Sequence, residues 1–513
     1  MIVVSDGAGR GVLFVFIVVV TVALWSGTGT AAAQSAPDCS TVTYDGAGTE
    51  ANPYEVGNVD QLQCIEDQGL EANYVQVSDI DASETASWND DKGFEPIGEF
   101  DEDINETEYF LNATKRRDLD TIGDLRGNVT AEFDGQFDGG NHEITELTID
   151  RGNEPAVGIF SVIGSAGTVT NVSVVDADIG GYNGVGGLAW SNEGTVIGAK
   201  SSGSVDGSGE VGGLIGSNSG LVDRNVVFGM VSDSHATGEV NGSGIVGGLV
   251  GLNAFGGTIN ESYSTGGVDG SSSVGGLVGG NVMSTVDESY SKGPVNGSER
   301  VGGLVGANAG TVEDSYARGD VDGLKKDIGG LVGLHGTPGR RLNATLRWSY
   351  ATGTVTAPGS VSRVGGLVGN NSNEATVTES YWDVNATGWA VSDGGTGLTT
   401  AEMTGSDAFT NMAGFDFANT WFTGANPDDY PILGWELREQ GDADRQDGEN
   451  GSGTESVGDE ADGGNRSGGS DDAENNPSSS DDTGTEGLPG FTVVTAALAL
   501  LIVVAAASRQ RTK

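Results

Sequence analysis

The sequence predicts an all-β chain folded as a β-solenoid, on three observations. The string VGGLVGxN recurs as Val246–Asn253, Val274–Asn281 and Val301–Asn308, with looser copies starting at Val157, Val185, Val211, Ile328 and Val364. The starts are separated by 28, 26, 35, 28, 27, 27 and 36 residues, a period typical of repeat architectures. The chain has 88 glycines, and those of the array fall at fixed places within each repeat, where tight turns and close backbone approach require them. One repeat holds too few apolar side chains to bury a core alone, so about eight coils must stack on one another.

Within the array, residues 151–384, the unit continues as x-G-T-V-x-x-S-Y-A/S-x-G-x-V-x-G. Three short segments read as strands: the Leu-Val part, the Thr-Val part and the part around the last Val. Coils about 4.8 Å apart would place equivalent residues in ladders. Leu188, Leu214, Leu249, Leu277, Leu304, Leu331 and Leu367 form an expected core ladder. Tyr263, Tyr290, Tyr316, Tyr350 and Tyr381 form an aromatic one. Asn192, Asn218, Asn253, Asn281, Asn308 and Asn371 form a turn ladder whose amides can bond along the stack. The long periods mark insertions at Val222–Val231 and Thr337–Leu346.

Residues 37–150 read as an N-terminal cap. Asn58 and Gln61 suit the start of a short helix, with Val59, Leu62 and Ile65 on one face and Gly69 as its stop. Tyr74–Ile80 and Glu143–Ile149 alternate as strands do, and residues 100–130 read as an acidic insertion. Residues 385–437 concentrate aromatics, among them Trp389, Phe409, Phe415, Phe417, Trp421, Phe422, Tyr430 and Trp435. They suit a C-terminal cap closing the last coil, or a glycan-binding platform. Thr399 and Glu402 form an expected capping box. Residues 438–487 are mostly Asp, Glu, Gly, Ser and Asn and read as a disordered acidic stalk.

Charge and termini bound the function. The chain carries 74 Asp and Glu against 24 Lys and Arg, a net charge of −50, which argues against nucleic acid as a partner and suits a halophile, where salt screens self-repulsion. An apolar run, Val12–Leu24, followed by Ala31-Ala32-Ala33, reads as a signal peptide over residues 1–33. A second run, Phe491–Ala507, precedes Arg509, Arg511 and Lys513 and reads as a membrane segment with its basic end inside. In an oxidising compartment Cys39 and Cys64 are expected to pair as a staple.

Chemical motifs are mostly absorbed by the repeat. Gly207–Gly212 and Gly242–Gly247 fit G-x-G-x-x-G, but no helix is expected after either, so they read as turns. His142-Glu143 is half of H-E-x-x-H and lacks the second His. His235 stands at the Tyr position and His335 at the Asn position. Polysaccharide cleavage by paired carboxylates is the enzymatic alternative. The basic doublets Lys325-Lys326 and Arg340-Arg341 are assigned to turns or insertions. No catalytic or cofactor-binding residue is assigned, and carboxylate turns are expected to hold Ca or Na at most weakly. Sequons begin at Asn105, Asn112, Asn128, Asn171, Asn241, Asn260, Asn296, Asn343, Asn370 and Asn385, with Asn450 and Asn465 in the stalk. Exposed turns of an exported chain are suitable acceptors.

The VGGLVG cores, the S-Y-A-x-G-x-V-x-G continuation, the FDGGNHEIT lead-in and the GLTTAEM segment together resemble the GLUG motif family over about residues 40–435. That resemblance implies a surface role without an activity of its own. Residues 488–513, with Pro489, Gly490 and Phe491 before an apolar stretch and a basic end, resemble the PGF-CTERM signal of haloarchaeal surface proteins. It implies an archaeosortase-type processing enzyme as partner and lipid attachment. The chain is thus expected to be a membrane- or lipid-anchored surface protein, structural or adhesive, whose partners are S-layer or envelope components, glycans or other cells.

Overall fold

The computed structural model describes residues 35–98, 131–219, 229–337, 343–372, 375–423 and 429–438. The signal peptide, the 100–130 insertion, most of the stalk and the Pro489-Gly490-Phe491 tail lie outside them, as do Asn105, Asn112 and Asn128.

The array is a β-solenoid of parallel ladders. The repeat starts fall in register one coil to the next: Val157, Val185, Val211, Val246, Val274, Val301, Ile328 and Val364 pair in that order. Each full coil carries five short rungs, two more than expected. A Gly-Leu bend separates the Val-Gly rung from the following Val rung, and the Tyr rung pairs on its own (Tyr263↔Tyr290, Tyr290↔Tyr316). The bend is tight for a packing reason. A Cβ built on Gly276 would stand 2.1 Å from the Gly303 carbonyl oxygen and 2.2 Å from Ser291 Oγ, so only glycine lets the coils close to their spacing.

The expected core ladder is present. Leu188, Leu214, Leu249, Leu277, Leu304, Leu331 and Leu367 are fully buried. Each amide bonds the carbonyl of the next Leu, as at 2.9 Å between Leu304 and Leu331. Flanking Val rungs complete one continuous apolar interior.

The region assigned as a cap already belongs to the solenoid. Tyr54 pairs with Tyr74, Tyr74 with Phe137, Phe137 with Val169, and Val169 with Val196 in the Thr-Val ladder. Tyr74–Ile80 is accordingly not one strand. It divides into Asn73–Gln76 and Ile80–Asp81 across a coil corner, as Glu143–Ile149 divides at Glu146, whose φ is 56°. The helix is present as Val59–Gln63, with Gln61 N donating to Asn58 Oδ1 at 2.9 Å. Cys39 and Cys64 form a disulfide beside it.

One ladder was not anticipated. At each corner before the Tyr rung, a Ser amide donates to the next Ser Oγ: Ser234 to Ser262, Ser262 to Ser289, Ser289 to Ser315 and Ser315 to Ser349, each at 3.2 Å. Each hydroxyl donates to the carbonyl two residues back, at 2.6 Å for Ser289 to Asp287. This satisfies the backbone where the chain turns between the two sheets.

Candidate functional site

The aromatic ladder and the segment lying on it form the most elaborate side-chain assembly outside the core. On the two-residue Tyr rungs, side chains alternate. The Ser or Ala after each Tyr points inward, and the Tyr points out. His235, Tyr263, Tyr290, Tyr316 and Tyr350 stack with centroids 4.5, 4.8, 4.9 and 5.1 Å apart and planes within 12° of parallel. His235 takes the Tyr place, as its position in the repeat implies. Burial, aided by Lys200, lowers its pKa to about 4.

Residues 384–398 cover the last coil. Leu367 N and Val368 N donate to Ser392 Oγ, and Trp389 Nε1 donates to the Val355 carbonyl. The rest of the aromatic segment does not close an end. From the capping box at Thr399 and Glu402, residues 399–423 and 429–438 run back along the solenoid's flank as a strap over the tyrosines. Phe415 meets Tyr381 and Tyr350, Trp421 meets Tyr350 and Tyr316, and Trp435 stacks on Tyr290 and Tyr263 at 5.6 and 6.2 Å. These side chains, with Met403, Met412 and Leu433, make a second apolar core. Most of the aromatics proposed as a glycan platform are therefore spent on packing; Phe409 and Phe422 remain exposed.

Polar groups fix the strap's register. The Tyr316 hydroxyl and Lys292 Nζ both bond the Glu436 carboxylate, at 2.9 and 3.0 Å. Arg318 donates to the Tyr350 hydroxyl at 2.6 Å and to the Pro431 carbonyl at 2.9 Å, with its guanidinium 4.7 Å from the Tyr316 ring centre. Trp435 Nε1 donates to the Glu288 carbonyl, Trp421 Nε1 to Asp314 Oδ1, and Arg438 pairs with Glu261. Burial raises Glu288, helped by Glu261, and raises Asp314 to about 6. Sequence reading missed Lys292 and Arg318, although the pattern Tyr-x-Lys/Arg puts both on the Tyr face of a strand.

The Asn ladder behaves as expected as far as Asn308. Amides donate from Asn192 to Asn218, Asn218 to Asn253, Asn253 to Asn281 and Asn281 to Asn308, at 2.8–3.0 Å. His335 follows in the Asn place, with burial lowering its pKa to about 4. His142 Nδ1 lies 3.1 Å from Asp79. Both G-x-G-x-x-G strings enter parallel strands, Glu210–Gly212 and Ile245–Gly247. Lys325-Lys326 lies within the strand Val321–Gly329, not in a turn, because the rung continues through it; Arg340-Arg341 is outside the described residues. Among the sequons, Asn241, Asn296, Asn343 and Asn385 are exposed, and Asn171, Asn260 and Asn370 are partly covered. Among the described residues no group of three or more His, Cys, Asp or Glu is arranged to hold a metal. No described helix is long and apolar enough to cross a membrane.

The GLUG motif family matches residues 297–322, one full turn through the Val295–Gly302 and Val305–Glu313 rungs into Val321. Halomucin of Haloquadratum walsbyi is 36% identical over 180 residues, which is 34% of this chain and 2% of that protein. A protein named as a Gly-rich membrane protein, from Evansella cellulosilytica, is 36% identical over 108 residues, 20% of this chain and 11% of that one. The matched stretches are thus a small fraction of these relatives' lengths. A crystal structure of a candidate immunoglobulin A1 protease from Bacteroides ovatus superposes over 76% of this chain and 94% of that one, at 19% identity and TM-score 0.35; this is too slight a likeness to bear on activity.

Proposed function

We propose that this chain is an exported surface protein of a halophile, with a structural or adhesive role, held to the membrane or a lipid through its PGF-type end. The observation that carries the reading is the unbroken Thr-Val ladder from Tyr54 to Val377. It is a continuous stack of parallel rungs, into which both G-x-G-x-x-G strings run. The net charge of −50 suits a surface in concentrated salt, and the relatives named Halomucin and Gly-rich membrane protein support a surface or membrane setting. On this reading an archaeosortase-type enzyme processes residues 488–513, envelope or S-layer components, glycans or other cells are the partners, and some exposed sequons carry glycans. The test is labelling of intact cells with a membrane-impermeant amine reagent, followed by detergent partitioning and the intact mass of the mature chain. Labelling together with loss of the segment after Pro489 is expected. A chain protected until the cells are lysed would refute the surface reading.

A further inference from the structure

A cationic row crosses three successive coils of this otherwise acidic chain. Arg300, Asp327 and Arg363 each stand immediately before the rung Val301–Ile328–Val364, and Glu299 pairs in register with Lys326. All three have φ between 53° and 67°, at the coil corner. Lys326 pairs with Glu299 at 3.0 Å, and Arg363 with Asp327 at 2.7 Å. Glu299 also feels Lys325 and Arg300, and Asp327 feels Lys326 and Arg300. Four cations therefore surround two carboxylates, leaving the patch at +2 within a chain of −50. Arg300 reaches Ser272 Oγ at 3.0 Å, but its Nε is buried with no hydrogen-bond partner. Lys325 is exposed, next to Leu324 at 59% exposure.

The geometry points to a binding site for an anionic polysaccharide laid along the stacking axis, with carboxylates received by Arg300 and Lys325. This rests on the surface reading above and names its ligand class. Arg300 and Arg363 stand two coils apart, roughly 10 Å, with Asp327 at the equivalent place between them and Lys325 on the same strand of that middle coil, so each of three successive coils brings a cation, as charges recur along a repeating polymer. A folded protein partner would need buried aromatic or apolar anchors, and Leu324 is the one large apolar side chain that the row exposes. Long-range attraction is screened within about 3 Å in molar salt, so recognition relies on direct contacts, for which a guanidinium matching a carboxylate is suited.

The experiment uses the purified full-length chain on immobilised alginate, dextran and poly-glutamate through a salt series. Binding to alginate that persists in high salt, with none to dextran, is expected. R300Q/K325Q removes the two cations of the patch that form no ion pair among the described residues and leaves both ion pairs. It should weaken alginate binding about tenfold or more, on the scale of one charged hydrogen bond, while K200Q leaves it unchanged. R300K/K325R, which keeps the charge, should retain most of the binding and guards against a folding defect. Equal binding to dextran, no effect of R300Q/K325Q, or tighter binding to poly-glutamate than to alginate would overturn the assignment. Surface labelling without alginate binding defeats this inference alone, whereas alginate binding by a chain confined inside cells defeats the surface reading.

Discussion

The Asn308 side-chain amide donates to Nδ1 of His335 at 3.2 Å, deep in the solenoid. An amide nitrogen only donates, so Nδ1 accepts and the single proton of the neutral ring sits on Nε2, which donates to the Thr376 carbonyl at 3.1 Å. An Asn in that place has two N–H bonds: one reaches the next amide and one the next coil's carbonyl, as Asn281 does with Asn308 and Thr311. His335 has one. Asn371 Oδ1 is consequently buried with no partner. H335N should complete the ladder and raise stability by about 1 kcal/mol, read as a higher melting temperature. A lower one would contradict the account.

The same ring sets an acid limit. Its pKa is lowered to about 4 by burial, against about 6.5 when unfolded. The unfolded chain therefore binds the proton first, and stability is lost as pH falls from about 6.5 to about 4, by up to roughly 3 kcal/mol. His235, also lowered to about 4 by burial, adds a loss of the same sign. The stability difference between H335N and the natural chain should widen over that window; a constant difference would show that the ring does not titrate there.

Glu210 acts in the opposite sense. Burial pushes its carboxyl up to about 7, partly relieved by Ser217. Its folded pKa lies above the unfolded one, so the protonated form contributes stability at low pH that is lost as pH rises through about 7. E210Q should therefore stabilise by about 2–3 kcal/mol above that pH and be nearly neutral below about pH 4.5. Denaturant titration at two pH values separates this from a simple packing effect, which would not depend on pH.

A third change follows from comparing coils. Ser264 and Ser291 point inward, and their hydroxyls are buried with no partner; the equivalent Ala317 and Ala351 sit fully buried in the same core. S291A should raise stability by about 1–2 kcal/mol by removing an unsatisfied group. Destabilisation would mean that the hydroxyl is bonded after all.

How much of this was legible follows from what a repeat encodes. Position in VGGLVGxN told which side chains share a rung, so the Leu ladder, the Asn ladder and the places of His235 and His335 could be read directly. The first coils could not, because Tyr54, Tyr74 and Phe137 occupy rungs with no VGGLVG string before them. The strap could not either. Its capping box is local, but the direction in which Trp421 and Trp435 lie depends on where an uncovered tyrosine face exists, which is a tertiary fact. The two extra rungs per coil were hidden by their length, since two-residue strands leave no periodicity to detect.

The Cys39–Cys64 disulfide closes a separation of 25 residues, worth about 3 kcal/mol in the chain-entropy account. It ties the first described residues to the helix that starts at Val59, alongside the Tyr44 hydroxyl bond to the Gln61 carbonyl. Reduction should expose residues 35–58 to hydrogen exchange while the Leu ladder stays protected. Loss of protection throughout would show that the first coils hold up the whole stack.

Trp435 tests whether the strap is a separate unit. It is 3% exposed, stacks on two tyrosines and donates to the Glu288 carbonyl, at the far end of the strap from its attachment at Thr399. W435A removes ring packing worth about 3 kcal/mol and leaves Glu436 near Tyr316 without its flanking cover. The solenoid's core ladders do not include it, so its far-UV spectrum should persist while a protease cuts within residues 399–438 much faster than in the natural chain. Tyrosine fluorescence should change in step with cleavage, because Tyr263 and Tyr290 become uncovered together. If the variant instead melts as a whole with no early cutting, the tyrosine ladder and its strap form one cooperative unit with the core, and the strap cannot be released on its own.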